Sequence, residues 1–336
     1  MRRTVTALVG GLTVLALAAC GEPGSAGGGG GGGGETGGGG AENAGGEACE
    51  PIAGEQIVVL EDDENLQSVE NNIPAINADA AEEPLIAALD AVSAELDTDT
   101  LIELNQAVDV ERSTSGQAAS QFYEDVGIEL SDTSGSGSVV IGAANFSESA
   151  TLAELYALAL TDAGYEPEVR TIGNRETYEP ALETGEIEVV PEYVGTLAEF
   201  LNVKVNGDGA DPVASPDLEE STDHLRDLGA EVGLEFGQPA EAANQNAYAV
   251  TQEFADEHGV STLSELADTC GELSLGGPPE CPDRAFCQPG LEETYGLTFS
   301  EFVSLDAGGP LTKDALTSGQ IALGMVFTTD AALATE

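Results

Sequence analysis

From Val139 onward, short and solidly apolar runs alternate with stretches of helical apolar spacing, and this alternation confines the fold to layered α/β architectures. Val139-Val140-Ile141-Gly142 is the first such run, and Leu152 to Leu160 follows as a helix ending near Gly164. Glu168 to Ile172 reads as the next strand and Tyr178 to Thr184 as the next helix. Ile187 to Val190 is then a strand leading into Pro191-Glu192-Tyr193. An acidic, Pro-containing loop spans Asn206 to Glu220, after which Ala247 to Thr251 reads as a strand crossing between two lobes. Leu263–Ala267, Leu273–Leu275, Leu291–Tyr295, Leu311–Thr317 and Ile321–Phe327 continue the alternation. This is the signature of a mainly α/β protein with two lobes.

Upstream, residues 55 to 128 read as strand, loop, strand and then helices. Ile57 to Leu60 is an apolar run followed by an acidic turn. Asn72 to Ile76 is a second strand, whose Pro74 implies an edge or a bend. Leu85 to Leu96 and Leu101 to Val108 carry helical spacing, and Ala118, Phe122 and Val126 mark a third helix. Residues 131–138 are a polar Gly/Ser linker. The expected organisation is a signal at 1–20, a Gly-rich tether at 21–48, a segment at 49–130, the linker at 131–138, one lobe mainly from 139–250 and another from 251–336.

The amino terminus sets the expected location. Arg2 and Arg3 precede an apolar stretch, Val5 to Leu17, that is too short for a permanent membrane span. Leu17-Ala18-Ala19-Cys20 has the form of a bacterial lipobox, which predicts lipidation at Cys20 and anchoring on the outer face of the cytoplasmic membrane. The glycine-dominated run that follows has no residue able to build a core and behaves as a flexible leash.

Charge narrows the partners. The chain has 62 Asp+Glu against 9 Lys+Arg, a formal net charge of −53. Such a surface repels nucleic acid and anionic headgroups. With 41% hydrophobic residues and clear periodicity, the acidity points to a folded protein of a high-salt habitat, where concentrated cations screen self-repulsion. Besides Cys20 there are Cys49, Cys270, Cys281 and Cys287, an even set that favours disulfides in an exported chain. Cys281 and Cys287 are near enough to close a local loop, leaving Cys49 for Cys270. The histidines, His224 and His258, do not make a zinc site with any Cys-x-x-Cys pair. No nucleophile elbow, phosphate loop or base-nucleophile pair is present, so neither an enzyme nor a cofactor is expected.

Several segments carry a family resemblance. Ile141-Gly-Ala-Ala-Asn-Phe-Ser-Glu-Ser149, the segment Ala181 to Thr196 with its Pro191-Glu192-Tyr193, and Asn244-Gln-Asn-Ala-Tyr-Ala-Val250 resemble substrate-binding proteins of quaternary-amine ABC importers, the glycine betaine/carnitine/choline type. Leu275-Gly-Gly-Pro-Pro-Glu-Cys281 and Phe327-Thr-Thr-Asp330 extend the likeness. The resemblance implies a two-lobed type II periplasmic-binding-protein fold, with ligand in the cleft and delivery to a separate permease. In that family the chain continues past Phe-Thr-Thr-Asp, and the continuation resembles residues 55 to 128 here. The expected arrangement is therefore a circular permutant. The alternative is a remnant of tandem copies exchanging segments between chains, but each family element occurs once.

A quaternary ammonium donates no hydrogen bond, so its capture requires aromatic faces, with donors for any carboxylate. The chain has no tryptophan. The motif match places Tyr193, Tyr248 and Phe327 at the cage, with Phe286 as a fourth face. Asn174, Arg175, Asn145 and Ser149 are the polar candidates. The expected ligand is a compatible solute, glycine betaine first, with choline and carnitine as alternatives. A sensor or scavenging lipoprotein of the same fold is the competing role.

Overall fold

The computed structural model describes residues 48–207 and 209–330. The signal, Cys20 and all but the end of the tether lie outside the described residues. The upstream segment gives β1 (Ile57–Leu60), β2 (Asn72–Asn77), α1 (Glu83–Ser93), α2 (Thr98–Asn105) and α3 (Ser115–Val126). The last turn of α2 widens into a π-turn over Gln106–Val110. Thr114 and Gln117 cap α3 reciprocally, and Gly127 closes it with φ of 68°.

After the linker come β3 (Ser138–Ala144), α4 (Ser147–Asp162), β4 (Glu166–Gly173), α5 (Arg175–Glu183), β5 (Val189–Tyr193), α6 (Val194–Asn206), α7 (Leu218–Val232) and β6 (Leu234–Phe236). The chain then runs through β7 (Asn246–Thr251), α8 (Gln252–His258), α9 (Leu263–Thr269), β8 (Leu273–Gly277), α10 (Gln288–Tyr295), β9 (Phe299–Ser304), α11 (Pro310–Thr317) and β10 (Leu323–Phe327). Two five-stranded sheets result, ordered β4-β3-β5-β2-β6 and β1-β7-β10-β8-β9.

In the first sheet β3 runs parallel to β4 and β5, while β2 runs antiparallel between β5 and β6. All six residues of β2 are buried, as a strand covered on both faces requires. Its Pro74 is therefore in a central strand and not at an edge. One face is covered by α1 to α4, through Leu85, Leu89, Leu101, Ala119, Leu152 and Tyr156. The other is covered by α5 to α7, through Leu182, Leu197, Leu201 and Leu225. In the second sheet β7 is antiparallel to both β1 and β10, and β8 is parallel to β10 and β9. Cys49 pairs with Cys270 and Cys281 with Cys287.

The boundary expected at residue 250 lies elsewhere. All of β7 belongs to the second sheet, so the chain changes lobes before Asn246. It does so because β10 pairs with Asn246 to Ala249 and β1 with Tyr248 to Thr251, so the whole strand is held in that sheet. Residues 49–130 serve both lobes, with β1 in one sheet and β2 in the other.

The segments that pass between sheets lie side by side. Asn72 N–H donates to the Ala242 carbonyl at 3.0 Å and Asn244 N–H to that of Glu70 at 2.9 Å. Gln245 ties a third segment in. Its Nε2 donates to the Ser68 carbonyl at 2.7 Å, and its backbone exchanges hydrogen bonds with Thr328. Gly195 permits this close approach: a Cβ there would fall 2.1 Å from Ser68 Oγ and 2.6 Å from the Val69 carbonyl.

Candidate functional site

A cavity of about 430 Å³ opens between the two sheets, at the carboxyl ends of β3, β4, β5, β8 and β10. That is where α/β sheets splay and bind ligands. Its apolar wall is aromatic. Phe146, at the turn from β3 into α4, stacks near Tyr193 with ring centroids 6.4 Å apart. The same ring lies 5.6 Å from Phe327 of the other lobe. Phe286, carried on the loop closed by Cys281 and Cys287, joins this lining.

That loop is held by its backbone. The Phe286 carbonyl accepts from Tyr248 Oη at 2.8 Å, Asn246 Nδ2 at 3.1 Å and Gln67 Nε2 at 3.2 Å. Arg284 on the same loop reaches across the cleft to Glu176, at 3.0 Å, and Asn174 donates to Glu280 at 3.3 Å. The lobes are thus latched around the cavity.

Tyr193 is fixed by a buried carboxylate. Its hydroxyl donates to Glu148 at 2.6 Å, and burial next to that anion holds the phenol well above its usual range. Glu148 also accepts from Asn105, Asn244 and Thr329, which come from three separate stretches of chain. It therefore joins the upstream segment, the crossing segment and the end of β10 at one point.

Six of the eight predicted ligand residues line the cavity: Tyr193, Phe327, Phe286, Asn174, Arg175 and Asn145. Two do not. Tyr248 is 1% exposed and packed in the second lobe's core. Asn246, two residues earlier on the same strand face, reaches the cavity, whereas Tyr248 sits one repeat deeper and only positions Phe286. Ser149 is turned inward, where its hydroxyl accepts from the Ala144 N–H at 2.9 Å and ties α4 to the end of β3. Arg175 lines the wall, but its guanidinium is committed. Nε and Nη2 donate to Glu192 at 2.8 and 2.6 Å, and Nη2 also to Thr196 at 2.9 Å.

Phe146, Tyr178, Glu148 and Glu70 were not among the expected site residues. Phe146 lies within the Ile141–Ser149 segment, two residues past the end of β3. Glu70 lines the cavity at 2% exposure, and burial pushes its carboxyl up to about 8. No sequence signal separates it from the other acids of a chain this acidic.

The family model for the substrate binding domain of ABC-type glycine betaine transport systems matches residues 52–125 and 137–335. The chain belongs to this family. It carries that family's substrate binding domain, and its fold is the two-lobed type II arrangement that the resemblance implied. A glycine-betaine-binding protein of Pseudomonas aeruginosa is 29% identical over 205 residues, 57% of this chain. The match spans 62% of that relative's length. A crystal structure of a glycine betaine/carnitine/choline ABC transporter is 22% identical, with a TM-score of 0.39 over 58% of this chain and 71% of that one. NikA from Brucella suis, solved in complex with Fe(III)-EDTA, is 12% identical, with a TM-score of 0.28 over 59% of this chain and 48% of its own. No helix among the described residues is long and apolar enough to cross a membrane.

Proposed function

We propose that this chain is the extracytoplasmic receptor of an importer for quaternary-ammonium compatible solutes, delivering its ligand to a separate ABC permease. The observation that carries the reading is the continuous aromatic wall of Tyr193, Phe146 and Phe327, contributed by both lobes around one cavity. A methylated cation gains about 0.5–2 kcal/mol from each such face when desolvated. Three or four faces supply enough for micromolar capture after ordering costs. Because the wall needs both lobes, ligand stabilises the closed form that a permease would recognise.

Lipidation at Cys20 would hold the receptor at the membrane while the glycine-rich run lets it range. The acidic surface suits a high-salt exterior, and uptake of compatible solutes suits the same setting. The chain order is read as a circular permutation in which residues 49–130 stand for the family's C-terminal part and 131–138 for the joint. In support, the family match omits residues 126–136, and β1 and β2 complete sheets whose other strands all come later. Such a rearrangement is inexpensive where termini lie close together at the surface.

Isothermal titration in concentrated KCl with glycine betaine, choline and carnitine tests the assignment. Saturable one-to-one binding, weakened by Tyr193→Ala, is expected. Silence toward all quaternary ammonium compounds from folded protein refutes it.

A further inference from the structure

The cavity is rich in acceptors and poor in donors. Each cationic side chain in its wall is neutralised within the protein: Arg175 by Glu192, Lys204 by Glu179 and Arg284 by Glu176. The tyrosine hydroxyls are spent as well, Tyr193 on Glu148 and Tyr178 on Glu192. Three lining amides donate elsewhere, Asn174 to Glu280, Asn244 to Glu148 and Asn246 to the Phe286 carbonyl. A ligand carboxylate entering this wall would find the Asn145 amide and the second N–H of amides already engaged, against several carboxylates. On the acceptor side, Glu70 Oε2 takes one long hydrogen bond, 3.3 Å from Thr196, while Oε1 is buried with no partner.

We propose that Glu70 selects the ligand, accepting the hydrogen bond of a hydroxyl-bearing quaternary ammonium, so that the cavity takes a net cation of the choline class in preference to a zwitterion. The inference rests on the quaternary-ammonium reading above. Without ligand, Glu70 keeps its proton up to about pH 8; once ionised it only accepts, and a buried acceptor without a donor carries a desolvation cost that a hydroxyl relieves and a second carboxylate does not. Two charges face the Glu70 side chain, Arg175 from α5, which favours the ionised form, and Glu192 from β5, which opposes it more weakly. A cation held in the cavity then favours the ionised carboxylate, whereas an incoming carboxylate opposes it. Thr196 and the glycine at 195 fix the site: Thr196 holds Oε2, and the missing Cβ at Gly195 leaves Oε1 its place, 3.1 Å from where that Cβ would stand.

The experiment titrates the protein, in concentrated KCl at about pH 9 where Glu70 is ionised, with choline, tetramethylammonium and glycine betaine, and repeats the series on Glu70→Gln. Choline is expected to bind about tenfold or more tighter than either of the others, the factor of a hydrogen bond to a charged group. Glu70→Gln is expected to weaken both cations through the lost charge and to bring choline down to the level of tetramethylammonium, so that the ratio of the two affinities falls to about one. Betaine binding tighter than choline in the unaltered protein overturns the proposal without any variant. So does a choline preference that survives Glu70→Gln, and in both cases the quaternary-ammonium reading stands. Failure of all three compounds to bind removes both readings together.

Discussion

Replacing Arg175 by Ala separates two uses of a rare base, holding a ligand carboxylate or holding the protein together. Arg175 is 5% exposed and Glu192 1%, and the pair is bidentate at 2.8 and 2.6 Å. Removing the guanidinium strands the Glu192 carboxylate. It keeps two of four donors, the Tyr178 hydroxyl at 2.7 Å and the Tyr193 N–H at 3.1 Å. Breaking a buried pair from one side costs about 3–5 kcal/mol. The two surviving donors place this case near the lower end, about 3 kcal/mol. For a domain of this size that lowers the melting temperature by about 6–9 °C. The assay is thermal unfolding followed by circular dichroism in about 1 M KCl, where the Debye length of about 3 Å removes long-range repulsion from the comparison. Replacing both partners, Arg175→Met with Glu192→Leu, is expected to restore stability to within about 1 kcal/mol. An Arg175→Ala protein that melts within about 2 °C of the parent yet no longer binds ligand would refute the reasoning, because the guanidinium would then serve the ligand and not Glu192.

Three further outcomes are expected. Glu70 ionises near 4.5 when unfolded but is raised to about 8 in the fold, so its contribution to stability is complete below about pH 4.5 and is lost as pH rises through about 8. The loss is at most about 5 kcal/mol, and Glu70→Gln removes this part of the profile; parallel melting curves for the two proteins from about pH 5 to 9 would contradict it. Phe146→Ala should weaken tetramethylammonium binding by about 2- to 30-fold, the loss of one cation–π face, as read by titration calorimetry. Opening the short loop with Cys281→Ser and Cys287→Ser should cost about 2 kcal/mol by chain entropy and should speed ligand release in stopped flow, since the loop carries Phe286 and Arg284; unchanged release would separate the loop from closure.

Where apolar pattern alone decides structure, the sequence was readable. Val139 to Gly142 is a strand that no polar residue interrupts, and Val189-Val190 opens the next after Glu188; the two strands lie side by side in the first sheet. By contrast, β9 was missed, since Phe299–Ser304 alternates with serine and glutamate at an exposed edge. The acidic stretch ending at Glu220 hid the whole of α7, whose Asp217 cap and Gly233 terminus frame Leu218, Leu225, Leu228 and Val232 at helical spacing. At the site, Tyr193 was legible because Pro191-Glu192-Tyr193 stands at a strand end. Tyr248 misled because its motif is close to the cavity while its strand face turns into the core. The commitment of Arg175 to Glu192 is invisible in sequence: 17 residues separate the partners, and only the pairing of β3 with β5 and the placement of α5 bring them together.

The disulfide between Cys49 and Cys270 also has a mechanical meaning. β1 is the edge strand of its sheet and is joined laterally only to β7, so tension drawn from the amino-terminal side would tend to peel it away. Cys49 lies ahead of β1 and is bonded covalently to the end of α9, with its N–H on the Glu272 carbonyl. A pull arriving from the amino terminus therefore passes into the body of the second lobe before it reaches β1. Were the chain anchored at its amino terminus as proposed, the second lobe would be the stationary jaw and the first lobe would be left to swing.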